Sequence, residues 1–172
     1  NEKEVLGIYI SGHPLENDSD LIKKHSTISS SDLMTDDIEK TLEIADGSRQ
    51  TIGGIISSVK TKLTKNNKTM AFLEIEDLYG SCEVIVFPKV FEQYSNLIRQ
   101  DLKVFISGRI NIEEEKSAKI LAEKIASFSS IPKTVWIRCT DKKSWDEKES
   151  KFFTIISDFK GGDRITVYLE NT

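Results

Sequence analysis

The feature that most constrains the fold is a change of hydrophobic period at residue 51. From there to residue 128, apolar and polar residues alternate through short segments separated by Gly, Asn or Pro, a pattern typical of β-strands. The segment at 89–100, "KVFEQYSNLIRQ", instead carries apolar residues at the spacing of a helix stripe. The predicted order is three strands, one helix and two strands; the last segment, "AKILAEKIASF", also admits a helix.

This order predicts a five-stranded OB-fold barrel over residues 51–128. The first strand is long and contains Gly53 and Gly54, which suit a bend, a bulge or the close approach of another backbone. A closed barrel needs such a strand because that strand takes part in both sheets. We therefore expect a mainly β protein with some α-structure, in which the barrel is the central domain.

A polar leader, residues 1–50, precedes the barrel. Its apolar residues predict a short helix at 2–10, which Gly12 and Pro14 end. A second short helix is expected, capped by Ser31 or Asp32 and ended by Gly47.

A small strand–helix–strand domain is predicted at residues 131–172, as the remnant or start of a larger one. Ser144 and Glu147 have the spacing of a capping box at the beginning of its helix. One face of that helix is expected to carry Trp145, Phe152, Ile156 and Phe159.

Composition is that of a globular protein from a reducing compartment. The chain has 172 residues, of which 38% are hydrophobic and 30% charged. Its apolar runs are shorter than the ~20 residues of a membrane span, and its first residues lack a signal-peptide pattern. Cys82 and Cys139 lie far apart in strand-like segments, which indicates free thiols and no metal site. We expect a cytoplasmic protein, and the start without methionine indicates a piece of a longer one.

Charge is distributed unevenly along the chain. Residues 1–48 contain 4 bases and 11 acids, whereas residues 49–128 contain 12 bases and 10 acids. The stretch 59–72, "VKTKLTKNNKTMAF", has no acid, and we call its four lysines the lysine arm: Lys60, Lys62, Lys65 and Lys68. Because a local patch acts whatever the net charge, this arm is a candidate for phosphate contact.

Two stretches carry a resemblance to a known family. "EVLGIYISGHPLE" at 4–16 and "KTMAFLEIEDLYGSCEVIVFP" at 68–88 together resemble the alpha subunit of bacterial replicative DNA polymerase III. In that family the first stretch precedes an OB domain and the second lies within it. The resemblance covers residues 1–128, and for 131–172 it rests on position alone. Taken by itself, the second stretch also resembles anticodon-binding domains of class II aminoacyl-tRNA synthetases.

The resemblance implies a noncatalytic C-terminal region of a DNA-directed DNA polymerase, a nucleotidyltransferase of DNA replication. No catalytic residue, metal site or cofactor is then expected in this segment, whereas the parent polymerase is expected to use Mg²⁺. The implied partners are single-stranded DNA, the remaining domains of the alpha subunit and, through residues 131–172, the tau subunit of the clamp loader.

Alternation assigns the side chains of each barrel strand to an inner and an outer face. The predicted inner residues of the second and third strands are Ala71, Leu73, Ile75, Cys82, Val84 and Val86. An OB-fold binds single strands on its outer surface, where aromatic rings stack on bases and lysines follow the phosphates. The predicted nucleic-acid-binding residues are the lysine arm (Lys60, Lys62, Lys65 and Lys68) with Phe72, Phe105 and Arg109.

Alternatives remain open for this surface. Phe72 and Phe105 are equally compatible with packing beneath the leader or residues 131–172. The surface then docks polymerase domains or the clamp loader, as a protein-interaction module; anticodon binding is a third function. The predicted outward acids Glu74, Glu76 and Glu83 count against tight nucleic-acid binding, as does the loop "EEEK" at 113–116.

Overall fold

The computed structural model describes residues 13–34, 44–113, 117–158 and 161–171. The chain divides into two compact units, Asn1–Phe128 and Ser129–Thr172. The regular elements of the first unit are Ser19–His25 (α1), Arg49–Leu63 (β1), Thr69–Glu76 (β2), Ser81–Val86 (β3), Pro88–Tyr94 (α2), Lys103–Asn111 (β4) and Lys119–Ser127 (β5).

Strands β1 to β5 close into a barrel in the order β1-β2-β3-β5-β4. Neighbouring strands are antiparallel except β3 and β5, which run parallel and pair Val84 with Ile120 and Ile85 with Leu121. The predicted OB-fold, with its helix between the third and fourth strands, is confirmed. The last segment of the barrel, which admitted either helix or strand, is the strand β5.

The barrel interior is filled by alternate residues of each strand, as predicted. On β2, Ala71, Leu73 and Ile75 are at most 1% exposed. The inner residues of β3 are also buried, namely Cys82, Val84 and Val86. Each large aliphatic side chain buried in this way contributes about 1.5–3 kcal/mol relative to an exposed one. The hydrophobic effect therefore determines the faces of these two strands.

The thiol of Cys82 belongs to this interior. Burial is the main cause that raises its pKa to about 12, with smaller contributions from the carboxylates of Asp77 and Glu74. The group is therefore a protonated thiol at neutral pH. Cys139, in the second unit, is also a free cysteine.

The paired glycines of β1 allow close approach of neighbouring groups. A Cβ on Gly54 would lie 2.6 Å from the carbonyl oxygen of Glu76, and one on Gly53 would lie 2.5 Å from the ring of Phe105. The irregularity of β1 lies further on, between Ile56 and Ser58. Of the three roles predicted for the glycines, close approach is the one observed.

The leader packs on the barrel through the residues that follow Gly12. Leu15 is fully buried. Lys103 of β4 donates from Nζ to the carbonyl oxygen of Pro14 and to Oδ2 of Asp18, each at 2.7 Å. These contacts hold the residues just before α1 against the outer face of β4.

A second contact joins the leader to the turn between β2 and β3. Ser30 donates to the Asp77 carboxylate from its backbone N–H at 2.6 Å and from its hydroxyl at 2.5 Å. The N–H groups of Tyr79 and Gly80 donate to the same carboxylate. Asp77 is 4% exposed, and these four donors satisfy a buried charge that would otherwise be costly.

Two helix predictions for the leader have different outcomes. The helix expected at 2–10 lies outside the described residues. The one expected to be capped by Ser31 or Asp32 is not capped there, because both residues lie inside a 3₁₀ helix, Ser30–Leu33, whose cap is Ser29. Asp32 takes part in that cap by accepting from the Ser29 N–H at 2.8 Å, and residues 35–43 lie outside the described ranges.

The second unit is the predicted strand–helix–strand arrangement, with elements Thr134–Asp141 (β6), Lys142–Ser157 (α3) and Arg164–Asn171 (β7). Strands β6 and β7 are parallel neighbours. The cap of α3 differs from the prediction: the Asp141 carboxylate accepts from the Ser144 N–H at 2.8 Å, so the helix begins before the proposed capping box. Trp145 and Phe152 contact each other on one face at 5.5 Å between ring centroids, and Phe159 lies outside the described residues.

Within the described ranges, no helix is long and apolar enough to cross a membrane.

Candidate nucleic-acid interface

An open cleft of about 490 Å³ lies on the outer face of β1, β2 and β3. Phe72 of β2 and Lys60 of β1 line it, and they are direct register partners. Lys119, at the beginning of β5, lines the cleft as well. Since paired residues of neighbouring strands project to the same face, the closing of the sheet brings a ring and a cation together.

The lysine arm continues from this cleft into the loop between β1 and β2. Its loop is a tight turn in which the Thr64 N–H donates to the Lys68 carbonyl at 2.8 Å, and Asn67 adopts a positive φ of 55°. All four lysines are exposed.

The charges of the lysine arm are largely unneutralised. Lys68 lies 3.8 Å from the Glu92 carboxylate, in a pair whose two side chains are both more than half exposed. Such an exposed pair contributes little. Among the residues that the structure describes, Lys60, Lys62 and Lys65 form no ion pair. These side chains are therefore available to a phosphate.

Phe105 is not at the interface, and its prediction as a nucleic-acid-binding residue is wrong. It projects away from the barrel interior, as alternation predicts, yet it is 5% exposed. Its ring stacks on Phe128 at 4.4 Å between centroids and lies 5.6 Å from the ring of His25 on α1. The leader and the end of β5 thus cover it, which is the packing alternative left open by the sequence.

Arg109 is exposed but lies outside the cleft. Its Nε donates to Glu123 at 3.0 Å, and Arg49 contacts the same carboxylate at 2.6 Å. Hydrogen bonds from Arg49 and then from Arg109 lower the pKa of Glu123. Arg109 therefore has an ionic partner on the β1–β4–β5 side of the barrel, and the structure does not bring it next to Phe72.

Acidic side chains occupy the other end of the cleft. Glu74 and Glu83 are register partners, and Glu83 pairs with Lys119 at 3.1 Å. Glu76, predicted to be outward with them, is 8% exposed and lies 3.4 Å from Nε2 of His13. The acids near the interface are thus fewer than predicted, while residues 114–116 of the acidic loop lie outside the described ranges.

Lys119 and Ser58 are cleft residues that sequence reasoning missed. For Lys119 the available signal was alternation along β5, which places it outward with Leu121 and Glu123. Because the sequence also admitted a helix there, this alternation did not single Lys119 out. Ser58 follows the irregularity in β1, which alternation alone does not locate.

The chain is similar in sequence to known proteins, and the similarity includes its barrel. The sequence model of the OB-fold nucleic acid binding domain matches residues 50–127. The DNA polymerase III subunit alpha of Aquifex aeolicus is 36% identical over 127 residues, which are 73% of this chain and 10% of that protein. The chain is homologous to a segment of the bacterial DNA polymerase III alpha subunits. That of Borreliella burgdorferi is 35% identical over 76% of this chain and 11% of its own length.

The relationship to the polymerase III alpha subunits extends into the second unit. The alpha subunit of Bacillus subtilis is 28% identical over 98% of this chain and 15% of its own length. The chain thus spans between 10% and 15% of these three relatives. At that coverage, nearly all of residues 131–172 are included in the match to the Bacillus subtilis protein.

Solved structures of similar fold include two single-stranded DNA binding proteins. Mitochondrial Rim1 from S. cerevisiae has 16% identity and a TM-score of 0.41, covering 48% of this chain and 97% of that one. SSBb from Mycobacterium smegmatis has 14% identity and a TM-score of 0.42, covering 49% of this chain and 91% of that one.

Proposed function

We propose that this segment binds single-stranded DNA, without sequence preference, through the outer face of β1 to β3. The observation that carries the proposal is the cleft in which Phe72 and the exposed cation of Lys60 are neighbours. Aromatic rings stack on any base, and lysines neutralise successive phosphates. The match to a nucleic acid binding family supports the same assignment.

In this proposal the segment belongs to a replicative polymerase of the cytoplasm and holds template near the enzyme. Its partners are the remaining domains of the alpha subunit. Anticodon binding is the less favoured alternative because the relatives described above are DNA polymerase subunits.

The second unit favours a protein-docking role beside DNA binding. Trp136 and Tyr168 are 70% and 56% exposed, and large exposed aromatic residues are typical of interaction surfaces. The clamp-loader tau subunit is the partner that the family resemblance implies. Loss of tau binding by the double variant Trp136→Ala/Tyr168→Ala would support this role, and unchanged binding would contradict it.

We expect single-stranded DNA to bind more tightly than duplex of the same length. In a duplex the bases are stacked and paired, so Phe72 has no free base face to contact. Anisotropy titrations of the 172-residue chain with a labelled oligonucleotide, alone and annealed to its complement, measure the difference. Equal affinity at moderate salt would mean that the interface recognises phosphate charge alone.

We also expect the isolated chain to have no nucleotidyl-transfer activity, with Mg²⁺ chemistry belonging to other parts of the polymerase. Two-metal catalysis requires carboxylates held close together, and the described residues contain no group of three metal-ligating side chains. Primer extension with Mg²⁺ and deoxynucleotides measures this directly. Template-dependent extension by the purified chain would overturn the expectation.

A further inference from the structure

We propose that Phe87 is a second base-stacking residue beside Phe72. The interface would then contain two parallel rows, each with one lysine and one aromatic ring, and would hold two successive nucleotides. This inference rests on the proposed binding of single-stranded DNA and specifies where two of its bases lie. Sequence reasoning did not place Phe87 at the site.

The first lysine–aromatic row consists of register partners on three neighbouring strands. Lys60 of β1 pairs with Phe72 of β2, which in turn pairs with Ile85 of β3. Directly paired residues share a face of the sheet, so all three project outward. The row therefore presents a cation at β1 and a half-buried aromatic ring at β2.

The second lysine–aromatic row lies two residues further towards the lysine loop. Lys62 pairs with Met70. The last pair of β2 with β3 is Ala71 with Val86. Continuing the antiparallel register by one residue would set Met70 opposite Phe87. This row presents a cation at β1 and an aromatic ring at the end of β3.

The backbone keeps Phe87 on the outer face although β3 ends one residue earlier. Its φ of −70° and ψ of 160° are extended, so alternation continues past the buried Val86. The Phe87 side chain is 47% exposed. A ring so exposed at the first turn of α2 has a face free to meet a base.

Spacing and charge suit an extended nucleic-acid strand. Two residues along an antiparallel strand span about 7 Å, and diagonal neighbours such as Phe72 and Phe87 are about 7–8 Å apart. The contact between Lys68 and Glu92 of α2 shows that the lysine loop lies at the same end of the barrel as Phe87. Each base would therefore meet one ring while the phosphates follow Lys60 and Lys62.

The test compares variants of the 172-residue chain in anisotropy titrations with a labelled oligodeoxynucleotide of about eight nucleotides. Phe87→Ala and Phe87→Leu are expected to weaken binding about tenfold, because each loses the stacking face. Phe87→Tyr should retain affinity. Phe87→Leu keeps an apolar side chain, and circular dichroism of each variant checks that the barrel is folded.

The matched control is Tyr79→Ala, which removes an aromatic ring that is 61% exposed on the turn between β2 and β3. It should leave affinity unchanged. On an oligonucleotide of abasic sites, Phe87→Ala should cost nothing, whereas Lys62→Ala should still weaken binding.

The outcomes separate this inference from the proposed function. Absence of binding by the unaltered chain would overturn both. If the unaltered chain binds while folded Phe87→Ala keeps its affinity, or loses it equally on the abasic oligonucleotide, Phe87 does not stack on a base, and single-strand binding itself stands. A protein partner whose binding alone is lost in Phe87→Ala would assign the ring to protein docking instead.

Discussion

Alanine at all four positions of the lysine arm is expected to remove most of the salt dependence of single-strand binding. Each phosphate contact contributes a slope of about −0.7 to the dependence of log affinity on log salt, so three or four contacts give about −2 to −3. The variant should remain folded because the four side chains are exposed. Anisotropy titrations at several salt concentrations, with circular dichroism, measure slope and fold together.

Two controls give this experiment its resolution. A quadruple alanine variant with the same change of charge, at exposed basic residues of Asn1–Phe128 that do not adjoin Phe87, should keep the slope: Lys23, Lys24, Arg99 and Lys124. Phe72→Ala should lower affinity by about 1–3 kcal/mol while the slope stays, since stacking carries no charge. An unchanged slope in the lysine-arm variant would make the arm an ordinary solvated loop, and the interaction-module function would then lead.

Phe105→Ala is expected to destabilise the barrel by about 3–5 kcal/mol, the range found when a buried phenylalanine is truncated. Its ring is 5% exposed and stacks on Phe128, so the variant leaves a cavity between α1 and the barrel. A domain with a total stability of about 5–15 kcal/mol would lose a large part of it. The salt slope of binding by the folded variant should be unchanged.

The probe of unfolding determines whether this loss is seen. Both tryptophans, Trp136 and Trp145, belong to the second unit, so indole fluorescence does not report on the barrel. Far-ultraviolet circular dichroism in urea, or amide exchange of β4, does. If Phe105→Ala kept the stability of the barrel but weakened DNA binding, Phe105 would be a ligand contact after all.

Sequence alternation predicted the barrel well because the burial of aliphatic side chains determines it locally. Ala71, Leu73 and Ile75 lie where the pattern put them, since a slip of one residue would expose the whole set. The helix between the third and fourth strands was equally visible from its spacing. The fold follows from interactions whose signal repeats every few residues.

The site was predicted only in part because its other determinants are tertiary. Alternation correctly turned Phe105 away from the core, yet its cover comes from His25, far earlier in the chain. Arg109 has the charge expected of a DNA contact, but its partner Glu123 lies on the last predicted strand, for which the sequence also left a helix open. The same ambiguity hid Lys119. Charge and aromaticity name candidates, and only packing decides which of them are free.

The pairing of β3 with β5 gives the barrel an uneven resistance to local opening. This line is closed by two register pairs, whereas β1 and β4 share seven. Besides these backbone pairs, the ion pair of Glu83 with Lys119 joins β3 to β5 through side chains that line the cleft. Segments with few shared hydrogen bonds open at lower free energy than the rest of a domain. We therefore expect the β3–β5 pairing to open locally more readily than the other strand pairs of the barrel. A strand of nucleic acid bound across β3 and β5 would oppose that opening.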